Sequence, residues 1–174
     1  VAPSERKLAE AVAFARTKAG WMRQRLAERP QGTPLAPGGT VDLFGLPTRL
    51  ATTGGAGAAR LTGDADGPLI VSGGEGEAYA RRVENLFRRV ARETLQVRTD
   101  VHLRTLGLRP VKMSIADPKS RWGSCSPHNR TIRYSWRVVM APHAVIDYLA
   151  AHEVAHLVHA DHSPAYWSVV QRLV

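Results

Sequence analysis

His152-Glu153-Val154-Ala155-His156 is the stretch of this 174-residue chain most able to do chemistry. Two histidines four apart on a helix stand one above the other on one face, near enough for both imidazoles to reach one zinc ion. The glutamate beside the first histidine is placed to take a proton from an attacking water. With 7 histidines and 8 glutamates in 174 residues, random placement would give roughly 0.01 occurrences of the pattern. Taken singly, each histidine reads as a hydrogen-bonded core residue and Glu153 as a solvated helix residue. The spacing turns them into a candidate catalytic centre, with a structural zinc site or a degenerate motif as the alternative.

A catalytic zinc takes three protein ligands and keeps one position open. Two later histidines compete for the third place. On a continuing helix, His159 would share the face of His152 about 10.5 Å further along the axis. Three imidazoles in a line cannot surround a tetrahedral ion. His162 lies past the expected helix end, where Asp161 and Ser163-Pro164 turn the chain, and so can approach from another direction. His162 is the preferred third ligand. Its interval from His156 is that of the extended metzincin pattern, without the glycine at the turn. His102, His128 and His143 have no partner spacing and receive no metal role.

These residues need a scaffold, and the apolar periodicity supplies one. Residues 4–29 read as an amphipathic helix, with Leu8, Val12, Ala15, Ala19, Met22 and Leu26 at spacings of three and four and Pro30 as a stop. Residues 31–77 are rich in Gly and Pro around short apolar stretches, and two or three strands are expected there. No Gly-Lys-Ser/Thr follows these glycines, so they are not read as a phosphate loop. From about 77 to 104 a second helix gathers Tyr79, Val83, Leu86, Phe87, Val90 and Val97 on one face. Arg81, Arg82, Arg88, Arg89 and Arg92 lie on the other. That arginine stripe is a solvated face by default and a phosphate-gripping surface as the alternative.

Two alternating segments follow, one through Val111, Met113 and Ile115, the other through Ile132, Tyr134, Trp136 and Val138. Each reads as a half-buried strand, with Ser120–Asn129 as the loop between them. Pro142 opens a third helix whose face includes Val145, Leu149, His152 and His156. A fourth starts at Ser163-Pro164 and runs to Val174, where the chain stops without a cap. The fold class is α+β, in a single domain over 1–174 whose catalytic region is 110–174.

Composition narrows the classes further. A hydrophobic share of 44% fits a globular chain with a real core. No apolar run approaches the roughly 18 residues of a membrane span, so no membrane partner is expected. One cysteine excludes an internal disulfide framework and any zinc site built on cysteine pairs. The single thiol fits a reducing compartment, and the cytoplasm is the expected location. The net charge is +9, and 20 of the 24 basic residues are arginines. Such a surplus raises the question of nucleic-acid binding without answering it.

The order of motifs resembles a known family. Lys119-Ser120-Arg121-Trp122-Gly123-Ser124-Cys125-Ser126 is followed by Ile132-Arg133-Tyr134-Ser135-Trp136-Arg137. Then come Ala141-Pro142, Val145-Ile146-Asp147-Tyr148, the histidine motif and His162-Ser163-Pro164-Ala165-Tyr166-Trp167. This series is similar to the YgjP-like zinc metallopeptidases, bacterial relatives of the SprT-like and WLM zincins, strongly over 110–170 and more weakly over 4–109. The resemblance implies a zincin-like fold, with a small twisted sheet packed against the motif helix. It further implies zinc on the residues matching His152, His156 and His162, with Glu153 as general base. Members carry strands before the first helix and a longer C-terminal helix, so the chain is expected to be truncated at both ends. The family commonly has Asn where Asp161 stands, and His159 occupies a variable position.

The resulting expectation is a zinc-dependent metallopeptidase acting on a peptide or protein substrate. Its rivals are a protease acting on nucleic-acid-bound proteins, motivated by the arginine stripe, and a non-catalytic zinc-stabilised binding module. Cys125 is assigned to packing rather than to nucleophilic chemistry, since no histidine is fixed beside it. Arg121 or Tyr134 is the candidate for stabilising the oxyanion. Oligomeric state is not legible.

Overall fold

A computed structural model describes residues 34–174 of the chain; the helix expected over 4–29 lies outside them. Four strands, β1 (Thr40–Leu43), β2 (Leu46–Thr52), β3 (Arg60–Asp64) and β4 (Gly67–Ser72), form a sheet in the order β1-β2-β4-β3. The sheet is mixed: β2 and β4 run parallel, and the two outer pairs are antiparallel. The Gly/Pro-rich region thus holds one more strand than the upper expectation. The exposed, weakly apolar β3 is the one its composition conceals.

The β1–β2 turn is a two-residue hairpin in which both Phe44 (φ 56°) and Gly45 (φ 75°) adopt left-handed backbone, the pattern that matches strand twist. Phe44 is an unusual occupant, and tertiary contacts hold it there. Its ring stacks on His143 at 4.1 Å, and the Phe44 N–H donates to the Val139 carbonyl at 2.7 Å. A Cβ at Gly45 would lie 2.7 Å from Pro142 Cγ. The hairpin tip is therefore keyed to the start of the helix that carries the histidine motif.

Helix α1 (Gly76–Thr105) covers the expected second helix and is terminated by Gly107 in left-handed conformation, with Leu108 N–H reaching back to the Leu103 carbonyl. It buries Tyr79, Val83, Leu86, Phe87, Leu95 and Leu103. Val97, expected on that face, is exposed, because the buried stripe passes through Leu95 and Thr99 instead. Of the arginine stripe, Arg88 pairs with Glu84 at 2.6 Å and lies 5.7 Å from the Trp136 ring, while Arg81, Arg89 and Arg92 are exposed.

The second sheet comprises β5 (Lys112–Ala116), β6 (Gly123–Ser126) and β7 (Thr131–Ser135) in the order β5-β7-β6. β5 and β7 are parallel, whereas β6 is antiparallel to β7 and forms an edge. Two expectations change here. Gly123–Ser126, read as loop, is a strand. Trp136 and Val138, read as continuing a strand, lie in a 3-10 helix (Trp136–Met140) begun by the Ser135 side chain accepting the Arg137 N–H. Met113, Ile115, Ile132 and Tyr134 turn one sheet face into the core.

Helix α2 (His143–Ala155) and helix α3 (Pro164–Leu173) complete the described chain. Val145, expected on the inner face of α2, is exposed; Ile146, Ala150 and Val154 are buried instead. α1 anchors both the sheet and α2. Thr99 Oγ1 lies 3.0 Å from the Tyr134 hydroxyl, and His102 Nε2 lies 3.0 Å from Asp147 Oδ1. The architecture is α+β, with small mixed sheets against helices. No described helix is long and apolar enough to cross a membrane.

Candidate metal centre

Helix α2 brings His152 and His156 to its C-terminal end and stops there: α2 ends at Ala155, and His156 is its cap residue. His159 therefore does not extend a line of imidazoles. Its N–H donates to the Ala155 carbonyl, and its own carbonyl accepts from His156 Nδ1 at 3.2 Å. That hydrogen bond fixes the tautomer of His156 and leaves Nε2 with its lone pair available, the usual way a ligating imidazole is oriented. The chain then turns. Asp161 accepts the Ser163 N–H at 3.4 Å, the Ser163 hydroxyl accepts the Tyr166 N–H to cap α3, and His162 is carried back over the end of α2. Asp161 thus organises the turn behind His162, and hydrogen bonding to it from the Ser163 side chain, and then from the Ser163 N–H, lowers its pKa.

His152, His156 and His162 each offer a ring nitrogen, and the three lie within 4.8 Å of one another. The Nε2 atoms of His152 and His162 are 3.4 Å apart. Two nitrogens about 2.05 Å from a tetrahedral zinc would be separated by roughly 3.3 Å, so this pair already spans one edge of such a site. Burial, and then the neighbouring imidazoles, lower the pKa of His152; burial is also the main influence lowering that of His156. Both shifts favour the neutral ring, which is the form that ligates metals. The donor set and its spacing fit zinc.

Two residues support the histidines that spacing alone did not single out. The Tyr166 hydroxyl donates to the His152 carbonyl at 3.1 Å, and its ring sits 4.6–5.4 Å from all three imidazoles. Trp167 stacks on His162 at 5.7 Å. Their signal in the sequence is their place in the run His162-Ser163-Pro164-Ala165-Tyr166-Trp167, which carries the family resemblance but assigns them no role.

Glu153 is 4% exposed and points from α2 toward β6. Burial raises its pKa to about 7, with the Arg121 charge opposing the rise. Its room is provided by Gly123. A Cβ there would lie 2.8 Å from Glu153 Cδ and 2.9 Å from Cγ, closer than real Cβ contacts come. Gly123 is a site residue that the sequence placed only within an unexplained motif.

A cleft of about 580 Å³ runs between the histidines with Glu153 on one side and Arg121, Gly123, Ser124 and Cys125 on the other. Arg121 is therefore at the site. Tyr134 is not: it is wholly buried, its hydroxyl is held by Thr99, and it does not line the cleft. Cys125 packs against the core, and burial followed by the Glu153 charge pushes its thiol up to about 12. A thiol so protonated is a poor nucleophile.

The family described as "YgjP-like, metallopeptidase domain" matches residues 1–174. The solved structure of the metallopeptidase zymogen abylysin of Pyrococcus abyssi is similar at 26% identity and a TM-score of 0.40. That similarity covers 48% of this chain and 78% of that one. No curated protein matches.

Proposed function

The chain belongs to the YgjP-like metallopeptidase family, and on that premise we propose a zinc-dependent peptidase in which His152, His156 and His162 hold the metal and Glu153 is the general base. One observation carries this reading: three imidazole nitrogens within 4.8 Å of one another open into the same cleft as a buried carboxylate. Zinc, when bound, supplies a Lewis acid that polarises the scissile carbonyl and activates the attacking water.

The protein's own groups do the rest. Glu153, held by Gly123 on one side and α2 on the other, accepts a proton from the attacking water and passes it to the leaving amine. A carboxyl group whose pKa is near 7 is suited to both transfers at neutral pH. Arg121 lines the cleft and is the remaining candidate for countering negative charge on the carbonyl oxygen. Among the described residues, the edge strand β6 has β7 on one side only. An extended substrate can add along its other side, so that main-chain hydrogen bonds orient the peptide bond beneath the histidines.

The direct test is metal content per chain for wild type, His162→Ala and His159→Ala. One zinc is expected in the wild type, lost with His162→Ala and retained by His159→Ala, because His159 acts through a carbonyl that alanine keeps. Zinc indifferent to His162 would overturn the ligand assignment. Absence of zinc from the wild type would end the mechanism and favour a binding module.

A further inference from the structure

The small sheet has a second face that the chemistry above does not use. On the face opposite the core, two cross-strand rows run from β5 across β7 to β6: Ser114–Arg133–Ser124 and Lys112–Thr131–Ser126. Together with Arg121 at the rim they line a cavity of about 420 Å³. The lining, among the described residues, contains three cations and four hydroxyl groups and no carboxylate. Among the described residues, none of Lys112, Arg121 and Arg133 forms an ion pair with an acidic side chain, and all three are exposed.

This cavity and the cleft below the histidines share Arg121, Ser124 and Cys125. They lie on the two faces of the same edge strand. Gly123 meets Glu153 on the inner face, and Ser124 stands beside Arg133 on the outer one. A peptide added along β6 sends alternate side chains to opposite faces. One set enters the catalytic cleft. The other set is directed over the row of hydroxyls, toward Arg133 and Lys112.

We infer that the outer face of the β5-β7-β6 sheet is a specificity subsite for acidic side chains of the substrate, occupied at alternate positions by carboxylates of the peptide being cleaved. The inference rests on the proposed peptidase function and names the substrate class. Hydroxyl donors combined with unpaired cations favour an anion over an apolar or cationic side chain. Continuity with the catalytic cleft favours the substrate chain over a separate nucleic acid as the occupant.

The test measures binding separately from cleavage. Fluorescein-labelled extended octapeptides carrying either Glu or the isosteric Gln at alternate positions are titrated by anisotropy against the whole chain carrying Glu153→Gln, which is expected to consume them too slowly to disturb the titration. The Glu peptide is expected to bind at least tenfold tighter at low salt, with the advantage shrinking as salt rises. Adding Lys112→Glu and Arg133→Glu is expected to bring the ratio to one or below, with Lys112→Gln and Arg133→Gln giving an intermediate ratio. Arg81→Glu with Arg92→Glu, on exposed α1, changes net charge equally and is expected to leave the preference above fivefold.

Equal binding of the two peptides would overturn the inference. So would a preference that falls as far with the α1 pair as with the sheet pair. Tighter binding of a single-stranded oligonucleotide, lost with the sheet pair, would replace the acidic peptide by nucleic acid as the occupant. Wild-type cleavage of the peptides is scored apart from these titrations. Failure to cut, with the Glu preference intact, would overturn the peptidase reading and reduce the outer face to a binding site for acidic peptides with no part in cleavage.

Discussion

Replacing Gly123 by alanine adds a single methyl group, and the structure says where it goes. The new Cβ would sit 2.8 Å from Glu153 Cδ and 2.9 Å from Cγ, whereas carbon atoms in contact prefer roughly 3.5–4.0 Å. The overlap calls for a displacement on the order of 1 Å. Glu153 is 4% exposed and projects from a packed helix, so it has little room to retreat. Gly123 is paired with Tyr134 within the sheet, so the strand cannot easily yield either. A misplacement of about 1 Å in a reacting group costs around 100-fold in rate, or about 2.7 kcal/mol of transition-state stabilisation. The overpacking itself is expected to cost about 1–3 kcal/mol of stability. The assay is kcat on a fluorogenic peptide for Gly123→Ala, with zinc content and Tm measured on the same preparation. Zinc is expected to remain, since the methyl group meets Glu153 and no histidine. The informative control removes the side chain altogether: in a Glu153→Ala background, Gly123→Ala is expected to lower Tm by far less than in the wild type, because Cγ and Cδ are absent. A kcat for Gly123→Ala within threefold of wild type would refute the reasoning, as would an equal fall in Tm in both backgrounds.

Three further outcomes are expected. Glu153→Gln should retain zinc and lose about 10²–10⁴-fold in turnover; peptide kinetics beside metal analysis checks this, and loss of metal would move Glu153 from chemistry to structure. Cys125, with its thiol raised from an ordinary value of 9.0 to about 12, should carry about a thousandfold less thiolate at pH 8. Alkylation by iodoacetamide in the native protein should accordingly be slow and still climb about tenfold per pH unit above pH 9, where an ordinary thiol levels off; labelling at the rate of a free thiol would contradict the burial. Tyr166→Phe removes the hydroxyl that donates to the His152 carbonyl, which should lower stability by about 1 kcal/mol and weaken zinc retention against a chelator; an unchanged Tm and chelation rate would show the hydrogen bond to be dispensable.

The elements most legible in the sequence are those whose information is local. Long helix α1 shows itself through repeated apolar spacing, although Val97 illustrates how the buried stripe drifts toward Leu95 and Thr99. Strand β6 escapes such reasoning. Gly123-Ser124-Cys125-Ser126 has neither β-branched residues nor a marked apolar alternation, and pairing with β7 makes it a strand. Trp136 and Val138 continue the alternation of β7, but Ser135 caps a 3-10 turn and takes them out of the sheet.

The same division runs through the site. Residue types and the four-residue interval of His152 and His156, with Glu153 beside the first, belong to one helical turn, so the sequence alone determines that these groups share one end of α2. It also limits the third ligand to His159 or His162. The tertiary structure decides where each lies, because their separation in space depends on where α2 stops and how Asp161 and Ser163 turn the chain. It likewise decides that Gly123 faces Glu153, that Tyr134 belongs to the core while Arg121 belongs to the cleft, and that Lys112 and Arg133 meet on one sheet face. These are contacts between segments tens of residues apart. Local periodicity carries no term for them; strand pairing and burial create them only once the chain has folded.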